Sequence, residues 1–190
     1  VTGECRGLLI EEARTNLLTY SEQFNNTSAW YITRSSITVN AVTAPDGTLT
    51  ADKFVEDTTA SNSHYLYYRL NVTEGTTYTF SIYVKSAEKA NAALQFFGDN
   101  SAFVAGSAFF NIGTGTITSS AQVNSATITA VGNGWYRISA SQTATATALS
   151  AISVGLVSAG TTVAYTGDGT SGVYIWGAQL EAGSFPTSYI

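Results

Sequence analysis

The sequence predicts an all-β protein, an antiparallel β-sandwich of jelly-roll type. Three observations carry that expectation. Short runs of alternating apolar and polar residues recur along the chain, and explicit turn signals separate them. Only 11 % of residues are charged, while Thr, Ser, Ala and Gly abound beside 11 Tyr and 9 Phe, a composition of strand formers and small turn residues. Roughly ten such strands in a chain of 190 residues suit two packed sheets around one core.

From the N-terminus, "IEEARTNLLTYSEQF" is the only stretch with helix formers, but Thr15 and Asn16 interrupt them, so at most a turn is expected. The polar loop "SEQFNNTSAW" follows, closed by Trp30 and Tyr31, which read either as core anchors or as a loop-borne platform. Strands are expected at 37–42, 49–55, 63–72, 77–86, 91–97, 107–111, 126–131, 135–143, 148–157 and 173–181. Their turns are Pro45-Asp46-Gly47, Glu74-Gly75, Gly98-Asp99-Asn100, Gly113-Thr114-Gly115, Gly132-Asn133-Gly134 and the run from Gly167 to Gly172. Neither a fixed repeat nor a domain boundary interrupts the pattern. Residues 1–20 are expected to pack as an N-terminal segment on a single domain spanning 21–190.

Successive side chains of a strand point to opposite faces. In "HYLYYRL", His64, Leu66, Tyr68 and Leu70 point one way, and Tyr65, Tyr67 and Arg69 the other. In "YTFSIYVKS", Tyr78, Phe80, Ile82 and Val84 suit a core, leaving Thr79, Ser81, Tyr83 and Lys85 outside. Leu94 and Phe96 go in while Gln95 and Phe97 go out; Tyr136 and Ile138 go in while Trp135 and Arg137 go out. A slip of one residue would bury Lys85 or Arg137, so the register is specified. Outward aromatics beside long polar or cationic side chains suit a sugar, whose apolar C–H face stacks on a ring while its hydroxyls take hydrogen bonds. Such rings equally suit a surface covered by a loop, a neighbouring domain or another subunit. Trp135, after a Gly-Asn-Gly turn, also reads as a plug for one end of the sandwich.

Other chemistry is poorly supplied. The net charge is −5, and the 8 basic residues are scattered, which argues against nucleic acid. No apolar run is long enough to span a bilayer, and no signal-peptide pattern opens the chain. The absence of Met points to a piece excised from a longer protein. Cys5, the sole cysteine, excludes an internal disulfide and a Cys-based metal site and reads as an inert thiol. "GDGTSG" at 167–172 has the glycines of a dinucleotide loop, but it precedes a strand and opens no helix, so it is a turn. His64 is the only histidine, and no Gly-x-Ser-x-Gly elbow occurs. The 13 acids sit mostly in loops, and no local spacing sets two of them up as a glycosidase pair. No catalytic residue is expected. Asp46, Asp52, Glu56, Asp57 and Asp168 are the oxygen donors from which a structural Ca²⁺ ion could be held, although no EF-hand pattern is present. Asn25 and Asn71 match the Asn-x-Thr sequon, which has no meaning without secretion.

Two stretches go beyond pattern. "RGLLIEEARTNLL" at 6–18 and "YIWGAQLEAGSFPTSYI" at 174–190 resemble the opening and closing segments of modules in virion proteins of tailed bacteriophages, tail fibres and tailspikes above all. "YTFSIYVKS" and "GNGWYRIS" fit the strands between. The chain is also similar to jelly-roll carbohydrate-binding modules, sharing an early "TNLL" followed by Phe24 and Trp30, a Tyr-x-Phe-x-x-Tyr-Val strand, and a late aromatic strand ending in Leu-Glu. The resemblance implies two antiparallel sheets, a non-catalytic glycan-binding role and commonly one calcium ion. Trp176 and Gly177 stand where many such modules carry acidic residues, a departure that weakens the calcium expectation. It also implies a virion location, a homotrimer within a fibre, and an end at Phe185-Pro186 that runs on into further chain.

The resulting expectation is a carbohydrate-binding module of a phage tail or surface protein, contacting polysaccharide through Tyr65, Tyr67, Arg69, Tyr83, Lys85, Gln95, Phe97, Trp135 and Arg137, spread over more than one site. An assembly domain with subunit-covered aromatics is the first alternative, and a glycan hydrolase or lyase the second.

Overall fold

A computed structural model describes residues 11–97 and 102–190. Cys5, the first five residues of the segment 6–18 and the Gly98-Asp99-Asn100 turn lie outside the described residues. The strands are β1 (Trp30–Thr33), β2 (Ser35–Val42), β3 (Ala51–Glu56), β4 (Asn62–Ser63), β5 (Tyr65–Val72), β6 (Thr77–Ser86), β7 (Asn91–Phe97), β8 (Gly106–Asn111), β9 (Thr116–Ala121), β10 (Ser125–Gly132), β11 (Trp135–Thr143), β12 (Ala148–Leu156), β13 (Ala164–Tyr165) and β14 (Gly172–Ala182). Among the described residues there is no helix.

One six-stranded sheet runs β1-β5-β12-β7-β8-β9, and a second runs β10-β11-β6-β14-β3-β2. All pairings are antiparallel, and β13 pairs with β4 as a small separate ladder. The chain passes from one sheet to the other between β5 and β6 and again between β6 and β7, the jelly-roll connection. Each sheet turns one apolar face to the other. Phe24, Trp30, Phe54, Leu66, Phe80, Ile82, Leu94, Phe96, Ile138, Ile152 and Leu180 are fully buried between them. Each large side chain there contributes about 1.5–3 kcal/mol by leaving water.

All ten expected strands form. The alternation missed β1, β9, β4 and β13. The β9 strand, "TITSSA", is almost entirely exposed at a sheet edge, so its sequence has no apolar face to show. The expected strand at 63–72 is broken at His64, whose carbonyl accepts from the Leu156 amide while Asn62–Ser63 pair with β13. The β10–β11 hairpin turns through Asn133 and Gly134 at φ +53° and +78°, the left-handed geometry that matches strand twist.

Residues 11–22 form neither helix nor strand, in line with the expectation of at most a turn where Thr15 and Asn16 interrupt the helix formers. β14 pairs with β3 only over Gly172–Ile175, so the rest of that edge of β14 needs another partner. Leu17 donates to the Leu180 carbonyl at 2.8 Å, and Ala178 donates to the Ser21 carbonyl at 2.9 Å. The Asn16 side chain donates to the Ala178 carbonyl at 3.1 Å and accepts from the Leu180 amide at 3.0 Å. These bonds occupy backbone groups that a helix over this segment would require.

Candidate functional site

The expected site residues fall on two different surfaces. Tyr65, Tyr67, Arg69, Gln95 and Phe97 share the outer face of the first sheet. Tyr83, Lys85, Trp135 and Arg137 lie on the outer face of the second.

The first face is built by register. Phe24 and Trp30 are anchored inside, with ring centroids 5.2 Å apart, and the Trp30 indole N–H donates to the Tyr20 carbonyl at 2.7 Å. With Trp30 held in, Tyr31 must point out. Tyr31 is the Cα partner of Tyr67, Tyr67 of Ser153, Ser153 of Gln95, and Gln95 of Ser107. One row therefore crosses five strands on the same face: two rings, a small hydroxyl, an amide and a second hydroxyl. The next row carries Tyr65, Gly155, Ala93 and Phe109, and the row on the other side carries Arg69, Ala151 and Phe97. Aromatic groups thus flank a floor of Ala, Ser and Gly on β12.

The rings support one another. Tyr31 and Tyr67 stack with centroids 4.8 Å apart and 14° between planes. Tyr65 lies 5.8 Å from Tyr67 and 6.2 Å from Phe97, leaning over the β12 floor. The Arg69 guanidinium carbon sits 5.4 Å from the Tyr31 ring and 5.6 Å from the Tyr67 ring. Gln95 donates to the Ser107 hydroxyl at 3.3 Å and accepts from the Ser153 hydroxyl at 3.4 Å, so its amide is held in the sheet plane. Tyr31 is 43 % exposed; Tyr65, Tyr67, Gln95 and Phe97 are half-buried. The expectation of two outward tyrosines and an arginine on β5 matches the geometry. Tyr31, Phe109 and Ser153 were absent from the expected set. Tyr31 carried a signal, since alternation from a buried Trp30 sends it outward; Phe109 and Ser153 join the face only through cross-strand register.

The second face is largely covered by the chain's own segments. Trp135 points away from the sandwich core, as alternation requires, but it is only 2 % exposed. It packs with Ala44, Ala51 and Trp176 beneath the loop that joins β2 to β3, and its indole N–H donates to the Thr43 carbonyl at 3.2 Å. It offers no accessible ring, which corrects the expectation of sugar contact and leaves it as a plug. Tyr83 meets Trp176 and Tyr189 at 5.3 and 6.1 Å. Lys85 is half-buried, opposite Trp135 and Tyr174 in the ladders. Arg137 donates to the Thr187 carbonyl at 2.5 Å and to the Ser81 hydroxyl at 3.0 Å, tying down the C-terminal segment.

The remaining titratable groups serve local structure. His64 is buried, with one ring nitrogen 2.6 Å from the Arg34 carbonyl and the other 3.4 Å from the Tyr165 carbonyl. Glu56 is buried, ion-paired with Lys89 at 3.0 Å and bonded by Tyr165 at 2.6 Å and the Asp168 amide at 3.0 Å. Burial, with the Glu56 carboxylate beside it, pushes the Tyr165 hydroxyl well above the usual phenol range. Asp46, Asp57 and Asp168 each accept from amides and hydroxyls within their own turns. The Ser171 and Thr170 donors hold Asp168 well below the usual carboxylate range. Among the described residues no three His, Cys, Asp or Glu converge on a point that could hold a metal ion. Of the oxygen donors named for calcium, Asp46, Glu56, Asp57 and Asp168 are engaged in the bonds just given.

Fold and face together define an antiparallel jelly-roll sandwich with one aromatic, small-floored outer surface. No protein-family model matches this chain, and no curated protein sequence does. Among solved structures it is similar to the carbohydrate-binding module TmCBM61 in complex with β-1,4-galactotriose (12 % identity, TM-score 0.49, 89 % of this chain and 99 % of that one). It is similar too to the CBM22-1 xylan-binding domain of Paenibacillus barcinonensis Xyn10C (14 %, 0.47, 92 % and 100 %). A third similar structure is the enzymatically active domain of bacteriophage CBA120 tailspike protein 4 (12 %, 0.46), of which 88 % of this chain covers 21 %.

Proposed function

We propose that this protein is a non-catalytic carbohydrate-binding module that holds a polysaccharide on the outer face of its first sheet. The observation that carries the reading is the row Tyr31–Tyr67–Ser153–Gln95–Ser107, in which stacked rings and fixed hydrogen-bonding groups stand on one rigid surface. Neighbouring strands lie about 4.8 Å apart, so rings and amide are separated by about 10 Å. That distance suits a sugar chain lying across the strands, its C–H faces on the tyrosines and its hydroxyls on Gln95, Ser107 and Arg69. Because the tyrosines hold each other upright, little side-chain freedom is lost on binding. Individual contacts of this kind give weak binding, micromolar to millimolar in order of magnitude, and repetition on a larger assembly raises it.

Catalysis is poorly provided for. Glycoside hydrolysis requires two carboxyl groups flanking the bond, and the described strand positions of this face carry none. The likeness of residues 6–18 and 174–190 to phage virion modules supports placing the domain on a tail or surface appendage, with a trimeric fibre as the assembled state.

Calorimetry against a panel of soluble bacterial and plant polysaccharides tests the reading. Saturable binding to at least one polymer, lost in Tyr67→Ala, is expected. Absence of binding across the panel, or a tight oligomer in which Tyr31 and Tyr67 are hidden from solvent, overturns it.

A further inference from the structure

The outer face of the second sheet holds a cleft of about 450 Å³, roofed by the C-terminal segment and lined by Tyr83, Thr127, Thr129, Arg137, Ser188 and Tyr189 among others. Its chemistry differs from that of the first face. Arg137 is half-buried in its wall, yet it forms no ion pair with any carboxylate of the described residues. Two of its N–H groups are used, one on the Thr187 carbonyl and one on the Ser81 hydroxyl. Its buried Nε has no acceptor. Its face lies 5.4 Å over the Tyr83 ring. The nearby carboxylate of Glu181 is engaged instead by neutral donors, from Gln179 at 2.6 Å and from the Thr187 amide and hydroxyl at 3.1 and 2.5 Å.

A half-buried guanidinium that lines a cleft, makes no direct ion pair and has one bond on each terminal nitrogen keeps N–H donors for an incoming anion. A carboxylate suits them, because its two oxygens match the planar pair of terminal N–H donors. Around it the walls offer hydroxyls. Thr127 and Ser139 share a hydrogen bond at 2.7 Å, and Thr129 and Ser188 are exposed. The volume sits in the lower half of the range of small-ligand pockets and accommodates one or two sugar rings but no extended chain.

The geometry points to a second binding site here, one that takes a single carboxylate-bearing sugar residue, its carboxylate on Arg137 and its hydroxyls on Thr127, Thr129 and Ser188. The sugar half of this assignment rests on the carbohydrate reading above; the anionic half rests on Arg137 alone. The site is complete only when the segment from Pro186 to Tyr189 has docked, because that segment forms one wall.

Titration of the ¹⁵N-labelled protein with glucuronate, glucose and acetate, followed by ¹H–¹⁵N NMR, tests it. Glucuronate is expected to shift the Arg137 Nε–H signal and the amides of Thr129 and Tyr189 saturably, with glucose and acetate each at least tenfold weaker. Arg137→Lys should weaken glucuronate at least tenfold. Because Arg137 also anchors the C-terminal segment, Thr129→Trp, at an exposed position that fills the cleft and leaves the bonds of Arg137 in place, should do the same. Tyr67→Ala should leave glucuronate binding unchanged. Equal binding of glucose, equal binding of acetate, indifference to Thr129→Trp, or shifts confined to the first sheet each overturn the second site. Failure of every polysaccharide on the first sheet, with glucuronate still shifting the Arg137 signal, overturns the earlier reading and leaves this site standing.

Discussion

Tyr31 and Tyr67 are direct Cα partners across the β1–β5 ladder, and their rings stack at 4.8 Å with 14° between planes. Each ring therefore fixes the other, and the pair stands as one platform at the edge of the sheet.

Removing either ring should cost binding without costing the fold. Tyr67→Ala is expected to weaken polysaccharide binding about 10- to 30-fold, or about 1.5–2 kcal/mol. Tyr31→Ala should weaken it comparably. The double variant should lose less than the sum, because each single change already frees the partner ring. Calorimetry on the three variants measures this; additive losses would mean that the rings act independently.

Trp135 should behave in the opposite way. It is buried under the β2–β3 loop, so Trp135→Ala should destabilise the fold by about 3–5 kcal/mol. Trp135→Phe, which keeps most of the packing, should bind polysaccharide as the parent does. Thermal unfolding paired with calorimetry decides it, and a loss of affinity in the Phe variant at unchanged stability would return Trp135 to the binding surface.

Gly177 lies within the β14 bulge at φ +58°, and a Cβ there would approach Tyr83 at 3.1 Å and Tyr189 at 3.3 Å. Gly177→Ala should lower stability by about 1–3 kcal/mol through backbone strain and crowding of both rings. Denaturant unfolding reads the change. A midpoint equal to the parent's would show that the bulge relaxes freely.

Asp52 is buried; its Oδ1 accepts from the Asn40 amide at 2.9 Å, but its Oδ2 has no partner. Burial raises its pKa above the ordinary carboxylate value. The folded state thus binds this proton more tightly than the unfolded chain, so the group costs stability as pH rises from about 4 through its raised value. Asp52→Asn keeps an acceptor for Asn40 and removes the charge. It should equal or exceed the parent in melting temperature at pH 7, and the advantage should vanish as pH falls to 4. Asp168, shifted the other way, loses stability as pH falls and does so in both proteins. The difference between variant and parent is therefore the quantity to follow, and an advantage that grows toward acid contradicts the assignment.

Much of the fold was legible. Tyr78, Phe80, Ile82 and Val84 alternate with polar neighbours over a full strand, and the core takes all four. The exposed β9 was illegible because an edge strand with little buried surface needs no apolar period. The site was partly legible. Tyr65, Tyr67 and Arg69 face outward together as their spacing requires, but nothing local reveals that Tyr31 stands opposite Tyr67 or that Ser153 forms the floor between Tyr67 and Gln95.

Alternation is a property of adjacent residues, and it settled which side chains leave the core: Trp135 and Arg137 point outward no less than Tyr67. Whether an outward side chain meets solvent depends on contacts between distant parts of the chain. Asn16 binds Leu180 across 164 positions, and Thr187 docks on Arg137, so the two ends fold onto the second sheet. No described segment is bonded over Tyr31 and Tyr67 in the same way, and Tyr31 remains exposed. The docking of both ends on the second sheet follows from where β14 runs out of strand partners, a long-range outcome that no local pattern of residues encodes.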